Sequence, residues 1–166
     1  KVSVGRILPD TVVIQVEESQ IAGLVEADVG GKWYINTEGR VLGSSIDNFT
    51  GQVVEMQGFT LVNPQTGEAA VASEGQEDAM TAALEIVGAM EGTGLMEKIT
   101  TINVEKTYDI ELLCGEQYQI LLGGTDELSY KIQYLQAVLE ELDPALSGTI
   151  DLTFDEKRVA RFREWE

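Results

Sequence analysis

The clearest signal in this chain is a two-residue alternation of apolar and polar positions. In "TVVIQVEE" (residues 11–18), Val12, Ile14 and Val16 share one face and Val13 and Gln15 the other. This β-branched run predicts a strand, with Pro9-Asp10 supplying the turn ahead of it. "IAGLVEA" and "KWYIN" predict two more strands, and "TEGR" (residues 37–40) a turn in which Gly39 can take positive φ before "VLG". "FTLVNPQTGEAAVA" (residues 59–72) reads as a hairpin around the turn formers "NPQTGE". Further on, "KITTINVE", "YDIELLC" and "YQILL" predict strands, the last two joined at Gly115-Glu116.

Two stretches switch to the helical period. Ala79, Ala83, Ile86, Val87 and Met90 recur at helical spacing, with Ser73 and Gln76 expected to form a capping box and "GTG" (residues 92–94) to end the helix. Leu128, Ile132, Leu135, Leu139 and Leu142 form a second stripe. There Thr125 is expected to cap, Asp126 and Glu127 favour the positive end of the dipole, and Pro144 stops the helix. The chain closes on "GTIDLTFDEKRVARFREWE". Ile150, Leu152 and Phe154 alternate with Asp151, Thr153 and Asp155, "DEKR" can turn, and a final strand sets Ala160 and Phe162 against Val159, Arg161, Arg163 and Trp165. Strands joined by tight turns, interrupted by two helices, predict an α+β fold: a largely antiparallel mixed sheet, two main helices on one face, and a C-terminal edge strand.

Composition narrows the function. The 166 residues suffice for one domain with a core. No apolar run reaches the ~18 residues of a membrane span. Because Lys1 falls inside strand-like sequence, the chain is expected to be a piece of a longer protein. Net charge is −18, from 29 acids and 11 bases. Residues 157–166 hold four bases against two acids, a net +2, which leaves −20 on residues 1–156. Such a body repels nucleic-acid phosphates and anionic lipid, so neither is expected as a partner. The single cysteine, Cys114, excludes an internal disulfide. With no histidine, Ser-His-Asp and Cys-His nucleophile systems and His-ligated metals are excluded, and neither metal nor cofactor is expected.

Other motifs carry little. "LPDT" (residues 8–11) resembles a wall-sorting signal but runs into a strand. "NFT" (residues 48–50) fits a glycosylation acceptor that is common by chance. "GGT" precedes a helix at Asp126 and Glu127, which would repel a phosphate. Adjacent acids such as Glu17-Glu18 and Glu140-Glu141 point apart, and Asp109 with Glu111 reads as a wet sheet face. The final strand stands out. Its bases either block edge-to-edge aggregation or select an acidic partner strand, with Trp165 as an interface anchor.

Taken in order, "GRILPDTVVIQVEES", "IAGLVEADVGGKWYINTEGRVL", "YDIELLCGEQYQILLGGTDELSYKIQYLQAVLEEL" and "GTIDLTF" resemble the extracytoplasmic region of the FtsQ/DivIB family of bacterial cell-division proteins. The resemblance spans nearly the whole chain. It implies the end of a POTRA module over 1–20 and a β-domain over 21–166. It also implies a single-pass cell-membrane protein with this region outside the cytoplasm, no catalytic activity, and a scaffold role. The implied partners are small coiled-coil division proteins of FtsB/DivIC and FtsL type, adding a β-strand to the last strand. Carried onto this chain, the partner-binding positions are Phe154, Asp155, Arg158, Val159, Ala160, Arg161, Phe162, Arg163 and Trp165. Residues 58–73 stand as an insertion against shorter members, and the tail is more basic than the family pattern. The rival classes are a carboxylate-based hydrolase of cell-wall glycan, which needs two opposed carboxylates across a cleft, and a small-molecule-binding module, which needs a large apolar pocket.

Overall fold

The computed structural model describes residues 2–7, 11–16, 20–45, 51–153 and 159–165. Val2–Ile7 (β1) and Thr11–Val16 (β2) form an antiparallel sheet of their own. The other strands are Ile21–Ala27 (β3), Lys32–Asn36 (β4), Val41–Gly43 (β5), Glu55–Leu61 (β6), Thr101–Asn103 (β7), Ile110–Cys114 (β8), Tyr118–Gly123 (β9), Gly148–Asp151 (β10) and Arg161–Glu164 (β11). They make a nine-stranded sheet in the order β11-β10-β9-β8-β7-β6-β3-β4-β5. Two helices, Glu77–Met90 (α1) and Leu128–Glu141 (α2), complete the α+β architecture.

The sheet is antiparallel at β3–β4, β4–β5, β7–β8, β8–β9 and β10–β11. The sheet is parallel at β3–β6, β6–β7 and β9–β10. Two of these parallel joins have a physical cause in the order of elements. α1 lies between β6 and β7, and α2 between β9 and β10, so each helix serves as the crossover that a parallel pair requires.

Registers place one apolar row across eight strands: Trp33, Val25, Met56, Ile102, Leu112, Ile120, Ile150 and Phe162 face the same side. The six inner members of this row are buried, as are Ala79, Ala83, Ile86, Val87 and Met90 of α1 and Ile132 and Leu135 of α2, all in one core. Both helical stripes expected from the sequence therefore point inward. The opposite sheet face carries Glu55, Gln57, Asn103, Glu111, Gln119, Thr149 and Asp151, which are half-buried or exposed. Gly58 lets β6 approach the chain leaving β7: its φ is +105°, and a Cβ there would stand 2.2 Å from the Glu105 nitrogen.

Both expected helix caps are absent, because tertiary partners claim the capping groups. Ser73 Oγ donates to the Thr60 carbonyl, and Gln76 Oε1 accepts from the Thr60 N–H at 2.9 Å. The pair thus staples α1 to β6. α2 begins after Glu127, which takes φ +50°, so Thr125 lies outside the cap position. The "hairpin" at 59–72 is reduced to the end of β6 pairing with the chain at Val71 and Ala72. Cys114 is half-buried against the core, and burial pushes its thiol up, with Lys98 opposing.

One residue that the apolar pattern missed is Lys131, 2% exposed on the inner side of α2. Its Nζ donates to the carbonyls of Leu122 at 3.1 Å and Gly124 at 2.9 Å, with Asp126 at 3.4 Å. Among the described residues no helix is long and apolar enough to cross a membrane.

Candidate strand-docking edge

β11 is the end strand of the nine-stranded sheet and pairs only with β10 among the described strands. Its register sets Arg161 opposite Asp151, Phe162 opposite Ile150, Arg163 opposite Thr149 and Glu164 opposite Gly148. Just past the strand, the Trp165 N–H donates to the Ser147 carbonyl at 2.9 Å. In an antiparallel ladder, bonded and non-bonded pairs alternate. Residues 161, 163 and 165 therefore turn their main-chain groups toward β10, whereas Ala160, Phe162 and Glu164 turn theirs outward.

The side chains sort by the same parity. Phe162 lies on the covered face as the last member of the apolar row and is 36% exposed. Its ring meets Tyr118 edge-on, with centroids 6.3 Å apart at 67°. Ala160 is half-buried and packs against the core. On the open face stand Arg161, Arg163 and Trp165, all exposed. The Trp165 indole N–H donates to Thr149 Oγ1 at 3.0 Å, so one end of the ring is pinned while the residue stays 42% exposed. Val159, 54% exposed, completes an apolar set at the chain's end.

Several contacts hold this edge in place. Gln117 Nε2 donates to the carbonyls of Pro144 at 2.6 Å and Leu146 at 2.8 Å, and Tyr118 Oη to that of Asp143 at 3.3 Å. These bonds fasten the loop before β10 to the start of β9. Gly148 leaves room for the Phe162 ring, because a Cβ there would sit 2.7 Å from that ring and 2.3 Å from the Arg163 carbonyl oxygen. Gly148→Ala is therefore expected to lift β11 off β10 at a cost of about 1–3 kcal/mol, read as faster exchange of the Trp165 amide and a lower unfolding midpoint.

Asp151 supplies the electrostatics. Burial pushes its carboxyl up. The side-chain and backbone hydrogen bonds from Thr153, followed by the fields of Arg161 and Arg163, outweigh burial and hold the group below its ordinary value. The folded chain thus binds this proton less readily than the unfolded chain does. The contribution is fully present above the ordinary value of 3.8 and is lost as pH falls through the lowered one. Thermal unfolding followed from pH 6 to pH 2 is expected to lose less stability below about pH 4 in Asp151→Asn than in the native chain. Superimposable pH profiles would contradict that role.

Of the site residues expected from the sequence, Val159, Ala160, Arg161, Phe162, Arg163 and Trp165 gather on this edge, and the strand itself runs Arg161–Glu164 within the expected 158–165. Phe154, Asp155 and Arg158, with the "DEKR" turn, lie outside the described residues.

Elsewhere, Glu26, Glu55 and Glu105 line a hollow beside β6. Lys32 donates to Glu55 at 2.6 Å and Gln57 donates at 3.0 Å. The hydrogen bond from Lys32, then that from Gln57, hold Glu55 below its ordinary value against burial. A glycosidase acid requires the opposite displacement. A second groove, between the end of α2 and the β8–β9 turn, is lined by Leu139, Leu142, Cys114 and Tyr118.

The family model described as cell division protein FtsQ/DivIB, C-terminal, matches residues 23–153. The chain belongs to this family. A search of the curated proteins finds no match to the chain. The match takes in β3 through β10 with both helices and ends at Thr153, ahead of β11. Membership of the FtsQ/DivIB family gives the chain a role in cell division, and it leaves the edge strand to be argued from its own geometry.

Proposed function

We propose that this domain is a non-catalytic scaffold of the division machinery, and that a small coiled-coil division protein of FtsB/DivIC or FtsL type adds a β-strand to the outer edge of β11. The observation that carries the reading is the unfinished apolar row. Seven residues from Trp33 to Ile150 continue from strand to strand, and the eighth, Phe162, ends the row partly in solvent at an edge strand. A ninth strand position beside Phe162 would complete both the row and the hydrogen-bond ladder.

The chemistry of the partner follows from the two faces of the edge. On the covered side the added strand would set apolar side chains beside Ala160 and Phe162. On the open side it would meet Arg161, Arg163 and Trp165, which favour acids and an aromatic or aliphatic contact. The partner segment is thus an alternating apolar and acidic strand. Phe154, Asp155, Arg158 and Val159 belong to the same proposed surface. The two-stranded β1–β2 unit is read as the end of a POTRA module over 1–20, with the β-domain over 21–166. The whole protein is read as a single-pass cell-membrane protein with this region outside the cytoplasm.

The test is a calorimetric titration of the chain with the extracytoplasmic segment of its FtsB/DivIC-type partner. Saturable binding that weakens with added salt is expected from the arginine contribution. Absence of binding at concentrations well above micromolar sinks the reading.

A further inference from the structure

A sheet of this kind has two ends, and they are finished differently. At the end opposite β11, the strand β5 is already occupied by the chain itself. The Val41 N–H donates to the Glu68 carbonyl at 2.9 Å, and the Val41 carbonyl accepts from the Gly67 N–H at 2.8 Å. The Ala70 N–H donates to the Gly39 carbonyl at 2.8 Å, and Arg40 Nη1 to that of Gly67 at 3.0 Å. Arg40 and Ala69 form an antiparallel bridge.

The segment that does this is firmly held. The Val62 N–H donates to the Val71 carbonyl at 2.8 Å, and the Asn63 N–H to Asp28 Oδ1 at 2.8 Å. Pro64, Ala70 and Ala72 are buried. Without this segment, β5 would present the outward main-chain groups of Val41 beside a buried apolar core, the kind of edge that invites pairing with another chain.

We infer that residues 62–71 are a built-in blocking strand that closes the β5 edge against a second copy of this chain. The contacts of Val41 with Gly67 and Glu68 imitate an added strand. Among the described strands, the nine-stranded sheet then offers one open edge, at β11. This would give a purpose to residues 62–71, which lie within the 58–73 expected from the sequence to be an insertion, and it holds whether or not a division protein docks at β11.

Two variants test the inference, both made in a chain that also carries Arg161→Glu and Phe162→Glu, so that pairing through β11 cannot account for the outcome. In the first, residues 63–70 are replaced by Asn-Gly, a two-residue turn that keeps the Val62–Val71 pair. Sedimentation equilibrium is expected to show its average mass rising with concentration toward twice that of the parent. The second is Gly67→Pro. Proline cannot take the φ of +87° found there and has no N–H for Val41, while the position is open, with nothing within 4 Å of an added Cβ. Its Val41 amide is expected to exchange about tenfold faster or more than in the parent. A folded first variant whose mass matches the parent at every concentration overturns the inference. So does unchanged Val41 protection in Gly67→Pro, which decides alone if the first variant does not fold.

Discussion

Lys131→Met is expected to destabilise the domain by about 3 kcal/mol, lowering its unfolding midpoint by roughly 10 °C. Methionine matches the length and the apolar stem of lysine, so packing changes little. What is lost is a buried donor shared by the carbonyls of Leu122 and Gly124. Those carbonyls lie at and just beyond the end of β9, where the chain turns into α2. Without the ammonium they stay enclosed with no replacement donor, a heavier penalty than the bond itself was worth. Asp126 contributes little, since its side chain is largely in water and 3.4 Å away. Thermal and urea unfolding of the variant check this, and an unchanged midpoint would show that the enclosed carbonyls find water or another donor.

Replacing Arg161 and Phe162 together by glutamate is expected to weaken partner binding by about 100-fold to 1,000-fold. The double change puts a charge at the end of the apolar row and reverses one where an acidic partner residue is expected. Phe162 is the larger part, because its partly exposed ring meets Tyr118 and, in the proposed complex, would also meet the added strand. The fold is expected to survive. Arg161 is exposed, and Phe162 touches the core only from its rim. A loss of about 1–2 kcal/mol in stability is the most its partial burial accounts for. Calorimetric titration beside a far-ultraviolet circular dichroism melt separates the two effects. Native affinity in a folded variant would remove β11 from the interface.

Much of the fold was legible because it rests on local periodicity. Val25, Ile35, Ile120 and Ile150 sit where alternation puts them, and α1 buries the five residues of its stripe. The last strand was expected at an edge, and β11 does end the order of the described strands. What could not be read depended on partners far away in sequence. Ser73 and Gln76 have the spacing of a capping box, yet Thr60 competes for both side chains and wins. The parallel joins of β6–β7 and β9–β10 follow from where the crossover helices lay the chain down, which alternation cannot encode. Lys131 breaks the polarity rule, although its spacing from Leu128 and Leu135 puts it on their face of the helix, and that was the available signal. The covering of β5 by residues 67–70 is a long-range pairing with no periodic mark at all.

For the proposed site, the basic charge of the sequence pointed to β11, but charge is only half of the surface. Parity adds the other half: the bases occupy the open face, and Phe162 closes the apolar row on the covered one. Asp151 already neutralises part of the arginine field from the neighbouring strand, so an incoming acid would share those bases with it.

The most direct measurement is amide hydrogen exchange along residues 159–165, with and without the partner segment. If a strand adds to β11, the amides of Ala160, Phe162 and Glu164 exchange quickly in the unbound chain and become protected on binding, whereas those of Arg161, Arg163 and Trp165 are protected throughout. Bound complex in which Ala160, Phe162 and Glu164 still exchange at their original rates would contradict the account.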